Sequence, residues 1–142
     1  KYLTEGKPGY VAHRWASLGD AVSWIRQSGG VAVIAHPGRY KFTANEEFAL
    51  FSEFKTHGGQ GVEVVTGSHT TAEYVEYAAV AKEFDMVASR GSDFHSPDES
   101  RIDLGTLPML QGDLTPVWEL LKDKIQDQIK PALQSSVQET AL

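Results

Sequence analysis

The chain has 142 residues, 41% of them hydrophobic and 23% charged, with no cysteine and a formal net charge of −6. That length suits one soluble domain with a buried core, and the missing thiols exclude disulfides and thiolate-bound zinc or iron–sulfur sites. The acidic balance argues against a broad nonspecific grip on nucleic acid, which needs a basic face, but allows a small cationic pocket for one phosphate. No run approaches the roughly 18 apolar residues that cross a bilayer, and no signal-peptide pattern opens the chain, so no membrane partner and a cytoplasmic location are expected. The first residues, KYLTEGKPGY, lack a methionine, and the chain is expected to start in the middle of something larger.

In chain order, Ser17 and Asp20 can open a helix that carries Ala21, Val22 and Ile25 toward the first strand. Gly29-Gly30 precede Val31–Ala35, a continuous apolar run suited to a strand buried on both faces. Thr43-x-x-Glu46 is a capping box ahead of Phe48, Phe51 and Phe54, in a helix that ends at Gly58-Gly59. Phe42, Phe48, Phe51 and Phe54 are expected in the core. Gly61 leads into a second strand, Val62–Val65. Thr70-x-x-Glu73 is another capping box, ahead of Tyr74, Val75, Ala78 and Phe84, and Met86–Ala88 is a third strand. Thr115-Pro116 fits the cap and first turn of a C-terminal helix with Trp118, Leu121, Ile125 and Ile129 as its stripe. Residues 131–142 are expected to form a flexible tail. Alternating buried strands and helices predict an α/β fold with a parallel sheet. A closed barrel of this type needs about eight strands, so the chain is expected to be part of a barrel, completed by residues outside it or by a second copy. Tyr10–Ala12 and Leu104–Leu107 are candidates for one more short strand.

Ligands gather at the carboxyl ends of parallel strands, and three successive strand ends here carry polar groups. The first presents His36, Pro37, Gly38 and Arg39; the second has Glu63 within it and Thr66, Gly67, Ser68 and His69 beyond it; the third runs into Ser89-Arg90-Gly91-Ser92-Asp93-Phe94-His95. Asp93-x-His95 places a carboxylate and an imidazole on one face of an extended segment, where both can reach one zinc, manganese or iron ion. The plainer reading is an aspartate orienting a surface histidine. His36, at the start of the rim, is either a satisfied core histidine or a third ligand. Arg39 and Arg90 suit bidentate capture of phosphate; the alternatives are solubility or ion pairing. Glu63 is a metal ligand, a partner that steadies one, or an anchor for an arginine, with the last two ranked above the first. His69 either helps bind substrate or belongs to the helix cap. His57, near a helix C-terminus, and His13 are expected to be bystanders. No P-loop and no nucleophile elbow is present, which leaves metal-activated water as the expected attacker.

GGVAVIAHPGRY (29–40), GGQGVEV (58–64) and ASRGSDFH (88–95) together resemble the second half of a PHP-domain metal-dependent phosphoesterase. The nearest branch is the bacterial 3′,5′-nucleoside bisphosphate phosphatases, which includes a 5′-to-3′ exoribonuclease. GKPGYV at 6–11 also fits, and the likeness runs from about Lys1 to Trp118, with residues 1–130 read as the C-terminal portion of such a domain. The resemblance implies a distorted (β/α)7 barrel and up to three divalent metal ions, manganese, iron or zinc. It implies that His36, Asp93 and His95 are metal ligands, with Asp93 and His95 in the catalytic centre, and that Arg39, Arg90 and His69 contact substrate phosphate. The implied substrates are phosphomonoesters of nucleotides or RNA 5′ ends. The opening H-x-H, the S-D-G and the middle His and Glu ligands of the pattern are absent from this sequence, so a catalytically incomplete fragment is the rival expectation. An amidohydrolase on a related barrel is the other.

Overall fold

A computed structural model of the chain describes residues 2–12 and 14–124. Helices α1 (Leu18–Gln27), α2 (Ala44–Thr56) and α3 (Thr71–Glu83) alternate with strands β1 (Val33–Ile34), β2 (Gly61–Thr66) and β3 (Val87–Gly91). The strands form one parallel sheet in the order β1-β2-β3, the α/β arrangement that the alternating pattern predicts. His13, Ile125, Ile129 and the expected tail at 131–142 lie outside the described residues.

Each helix starts where a side chain satisfies the exposed N–H groups of its first turn. Ser17 Oγ accepts from Asp20 N–H at α1. Thr43 with Glu46 and Thr70 with Glu73 close both expected capping boxes, at α2 and α3. In each box the glutamate accepts the cap residue's own N–H, and that bond holds both carboxyls below their usual range.

The core gathers Val22, Phe51, Phe54, Val62, Val64, Val65, Tyr77, Ala78, Ala81 and Ala88 between the sheet and its helices. Four expectations need correction. Val31–Ala35 contributes only two ladder residues, because the carbonyl of Ala32 takes the N–H groups of both Gln60 and Gly61 and the chain turns away after Ile34. Phe42 and Phe48 are about half exposed, at 49% and 57%. Phe42 precedes α2 and leans on Tyr40, and Phe48 sits at the border against Phe84. Neither Tyr10–Ala12 nor Leu104–Leu107 forms a strand; instead Ala88 donates its N–H to the Thr115 carbonyl, covering part of the outer edge of β3. The segment after Pro116 begins as a 3-10 turn, Val117–Leu121, with Trp118 42% exposed.

The pairing of β2 with β3 slips by one residue between Glu63 and Val65, leaving Val64 as a bulge. Bulges re-aim the chain beside functional sites, and this one lies at the carboxyl half of the sheet.

Candidate functional site

The carboxyl ends of the three strands open onto a cleft of about 450 Å³ lined by Arg39, Gly67, Ser68, Ser92, Asp93, His95, Glu99, Ser100 and Arg101. Immediately after β1, His36 takes a left-handed conformation (φ 31°, ψ 57°), and Pro37–Arg39 follows as a 3-10 turn. That reversal delivers Arg39 to the cleft. Across it, Asp93 is also left-handed (φ 53°), and its Oδ2 lies 3.2 Å from Arg39 Nη1. Non-glycine residues adopt this conformation at a cost of about 1–2 kcal/mol, and such residues concentrate at functional sites. Gly67 is required by close approach, since a Cβ there would lie 2.2 Å from the carbonyl oxygen of Ser92.

Glu63 ties the strand ends together. Its Oε2 accepts the His36 N–H at 2.6 Å, and its Oε1 would stand 3.2 Å from a Cβ at Gly91. Burial pushes its carboxyl above the usual range, against the lowering effect of that hydrogen bond. Of the three roles expected for Glu63, this geometry is that of a partner steadying the backbone of His36.

Two residues expected to reach phosphate are turned elsewhere. Arg90 donates from Nε to the carbonyl of Pro108 at 2.7 Å and from Nη2 to that of Leu107, so it pins the returning loop. His69 is buried, with Nδ1 at 3.0 Å from the Val64 carbonyl and Nε2 accepting the Gly38 N–H at 3.0 Å. His57 caps α2 and lies 3.7 Å from Glu53, away from the cleft. Arg101 lines the cleft and was not singled out from the sequence. Nothing in the run DESR distinguishes it from a surface cation; only the loop that brings 99–101 back over the rim does.

His36, Asp93 and His95 fit a divalent ion in the chemistry of their donors. His36 Nδ1 is buried without a hydrogen-bond partner, as a nitrogen reserved for a ligand would be. The set is incomplete in number and aim. Asp93 faces Arg39, and His95 Nδ1 is bonded to the Asp93 carbonyl at 2.8 Å. Among the described residues, no three His, Asp or Glu side chains are arranged to hold an ion. Among them, too, no helix is long and apolar enough to cross a membrane.

No protein-family model matches the chain. A 3′,5′-nucleoside bisphosphate phosphatase from Chromobacterium violaceum is 47% identical over 132 residues, 93% of this chain and 45% of that protein. A 5′–3′ exoribonuclease, Rnm, from Escherichia coli K12 is 40% identical over 84% of this chain and 41% of its own length. A solved structure from C. violaceum, described as an amidohydrolase with bound sulfate and no metal, superposes with a TM-score of 0.73 at 48% identity, covering 87% of this chain and 42% of that one. The chain thus spans under half the length of each relative, all of which carry the names of hydrolytic enzymes. By sequence and fold the chain is similar to these hydrolases, and it matches their C-terminal half.

Proposed function

We propose that this chain supplies the phosphate-gripping rim and part of the metal centre of a metal-dependent phosphoesterase. Its substrates are phosphomonoesters of nucleotides, 3′,5′-nucleoside bisphosphates in particular, or the 5′ ends of RNA. The observation that carries the reading is the cleft in which Arg39 and Arg101 stand with Asp93, His95, Glu99 and three serines. Guanidinium groups bind phosphate oxygens in pairs, and sulfate, which the related C. violaceum structure holds, has the same tetrahedral oxyanion shape.

In this reading Arg39 and Arg101 bind and orient the phosphate, while Arg90 acts through the loop it holds. His36, Asp93 and His95 hold divalent metal, manganese, iron or zinc, of which the complete site takes up to three. Such an ion, when bound, lowers the pKa of water and polarises a phosphoryl oxygen. The remaining ligands come from a preceding half of the barrel or from a second copy, so this chain alone is inactive. A cytoplasmic location is part of the same reading.

The amidohydrolase description of the 48% identical structure supports a second reading, hydrolysis of an amide by the same centre. Phosphate release from adenosine 3′,5′-bisphosphate by the complete gene product, with manganese and after EDTA treatment, separates the two. Release that EDTA abolishes and manganese restores is the expected result. Amide cleavage without phosphate release would replace the first reading by the second.

A further inference from the structure

We propose that His69 is a positioning residue, locked in one neutral tautomer, that sets the Pro37–Arg39 turn and thereby aims Arg39 into the cleft. The consequence for activity rests on the reading that Arg39 grips phosphate; the tautomer and the clamp do not.

The Val64 carbonyl can only accept a hydrogen bond, so the His69 Nδ1 at 3.0 Å from it carries the proton. Nε2, 3.0 Å from the Gly38 amide nitrogen, must then be the unprotonated acceptor of that N–H. Both ring nitrogens are thus committed, and the ring is buried and stacked on Tyr77 with centroids 4.8 Å apart. Each bond has a local cause. Val64 is the bulged residue of β2, without a partner in β3. The 3-10 turn leaves few N–H groups to satisfy: Pro37 has none, and Arg39 N–H is taken by the His36 carbonyl. Gly38 N–H is the one left over, and His69 accepts it.

Glycine at 38 is part of the same device. A Cβ there would stand 3.0 Å from His69 Cδ2 and 2.8 Å from Glu73 Oε1, so any side chain at 38 would press on the His69 ring. The clamp joins the β2 bulge to the turn that follows β1, and Arg39 is the next residue after the clamped amide. An arginine that must meet phosphate within hydrogen-bond distance depends on where that turn is fixed.

His69→Gln, His69→Asn and His69→Ala in the complete gene product dissect the clamp. The glutamine carbonyl can occupy the position of Nε2 and accept from Gly38. The shorter asparagine reaches only the Val64 carbonyl, and alanine reaches neither. All three lose the stacking on Tyr77, so their thermal midpoints are expected to fall by similar amounts. Turnover of adenosine 3′,5′-bisphosphate is expected to separate them. Glutamine should stay within about threefold of wild type, while asparagine and alanine should lose about 10- to 100-fold, mostly through KM. Three variants that lose activity equally, in step with their midpoints, or that lose none, would overturn the proposal. Nitrogen-15 shifts of the wild-type His69 ring and the exchange rate of the Gly38 amide read the clamp without any substrate. A proton on Nε2, or a rapidly exchanging Gly38 amide, would overturn it even if the variants fail to fold. If wild type releases no phosphate while the ring carries its proton on Nδ1 and Gly38 is protected, the functional reading fails and the clamp stands.

Discussion

Val62, Val64 and Val65 of β2 are buried among Phe51, Phe54, Tyr77 and Ala78. One step further along the strand the character changes. The three buried side-chain polar atoms without a partner among the described residues, His36 Nδ1, Thr66 Oγ1 and Ser68 Oγ, all lie at the carboxyl rim. So do two of the three left-handed non-glycine residues among those described, His36 and Asp93, whereas the third, Asp85, merely follows the cap of α3. Folding alone would favour the satisfied arrangement at both places. A rim that gathers the orphaned polar atoms and two of these three left-handed residues is organised around something it binds.

The comparison breaks most visibly if the body is hollowed. Phe51, fully buried, replaced by alanine should destabilise the protein by about 3–5 kcal/mol, read as a shift in the denaturant midpoint. The opposite substitution is Asp93→Ala. Its ion pair with the half-exposed Arg39 contributes at most about 1 kcal/mol to stability. Phosphate release should nevertheless fall by about 100-fold or more, since a lost contact to metal or phosphate removes several kcal/mol from the transition state. Equal activity in this variant would remove Asp93 from the centre.

His36 sharpens the contrast, because its backbone and its ring make separate predictions. His36→Ala and His36→Gly both delete the imidazole and both should be inactive. Glycine should nonetheless be the more stable of the pair by about 1 kcal/mol, since it takes the left-handed conformation without the side-chain penalty. Alanine and glycine variants of equal stability would mean that the rim holds no strain at His36.

The smallest effect belongs to the body. Glu46 and Glu73 have carboxyls lowered by their cap hydrogen bonds, so their contribution is present above about pH 4.5 and is lost as pH falls through the lowered folded values. The denaturant midpoint should drop between pH 5 and 3, and the Glu46→Gln, Glu73→Gln double variant should show a shallower drop. An unchanged slope would remove the two capping boxes from the acid transition.

These differences also explain which parts of the molecule were legible in the sequence. Thr43 with Glu46 and Thr70 with Glu73 announce their helices because cap and glutamate lie three residues apart. Val62–Val65 announces β2 for the same local reason, whereas the apolar run at 31–35 marks the place of β1 but not its length, since only Val33 and Ile34 join the ladder. The half-exposed Phe48 was not legible, since helical spacing gives a face but not what covers it. Arg90 and His69 look like rim residues in the chain, yet their partners, Leu107, Pro108, Gly38 and Val64, are chosen by long-range contacts and by a bulge that no short pattern encodes. Arg101 has the converse history: it has no motif, and a loop carries it to the cleft.

The most direct test is a crystal structure of the complete gene product grown with manganese and phosphate, with data collected at the manganese absorption edge. The expected map shows anomalous density touching His36, Asp93 and His95, and a phosphate within hydrogen-bond distance of Arg39. Manganese bound away from all three residues, or phosphate held at another face of the sheet, would contradict the account.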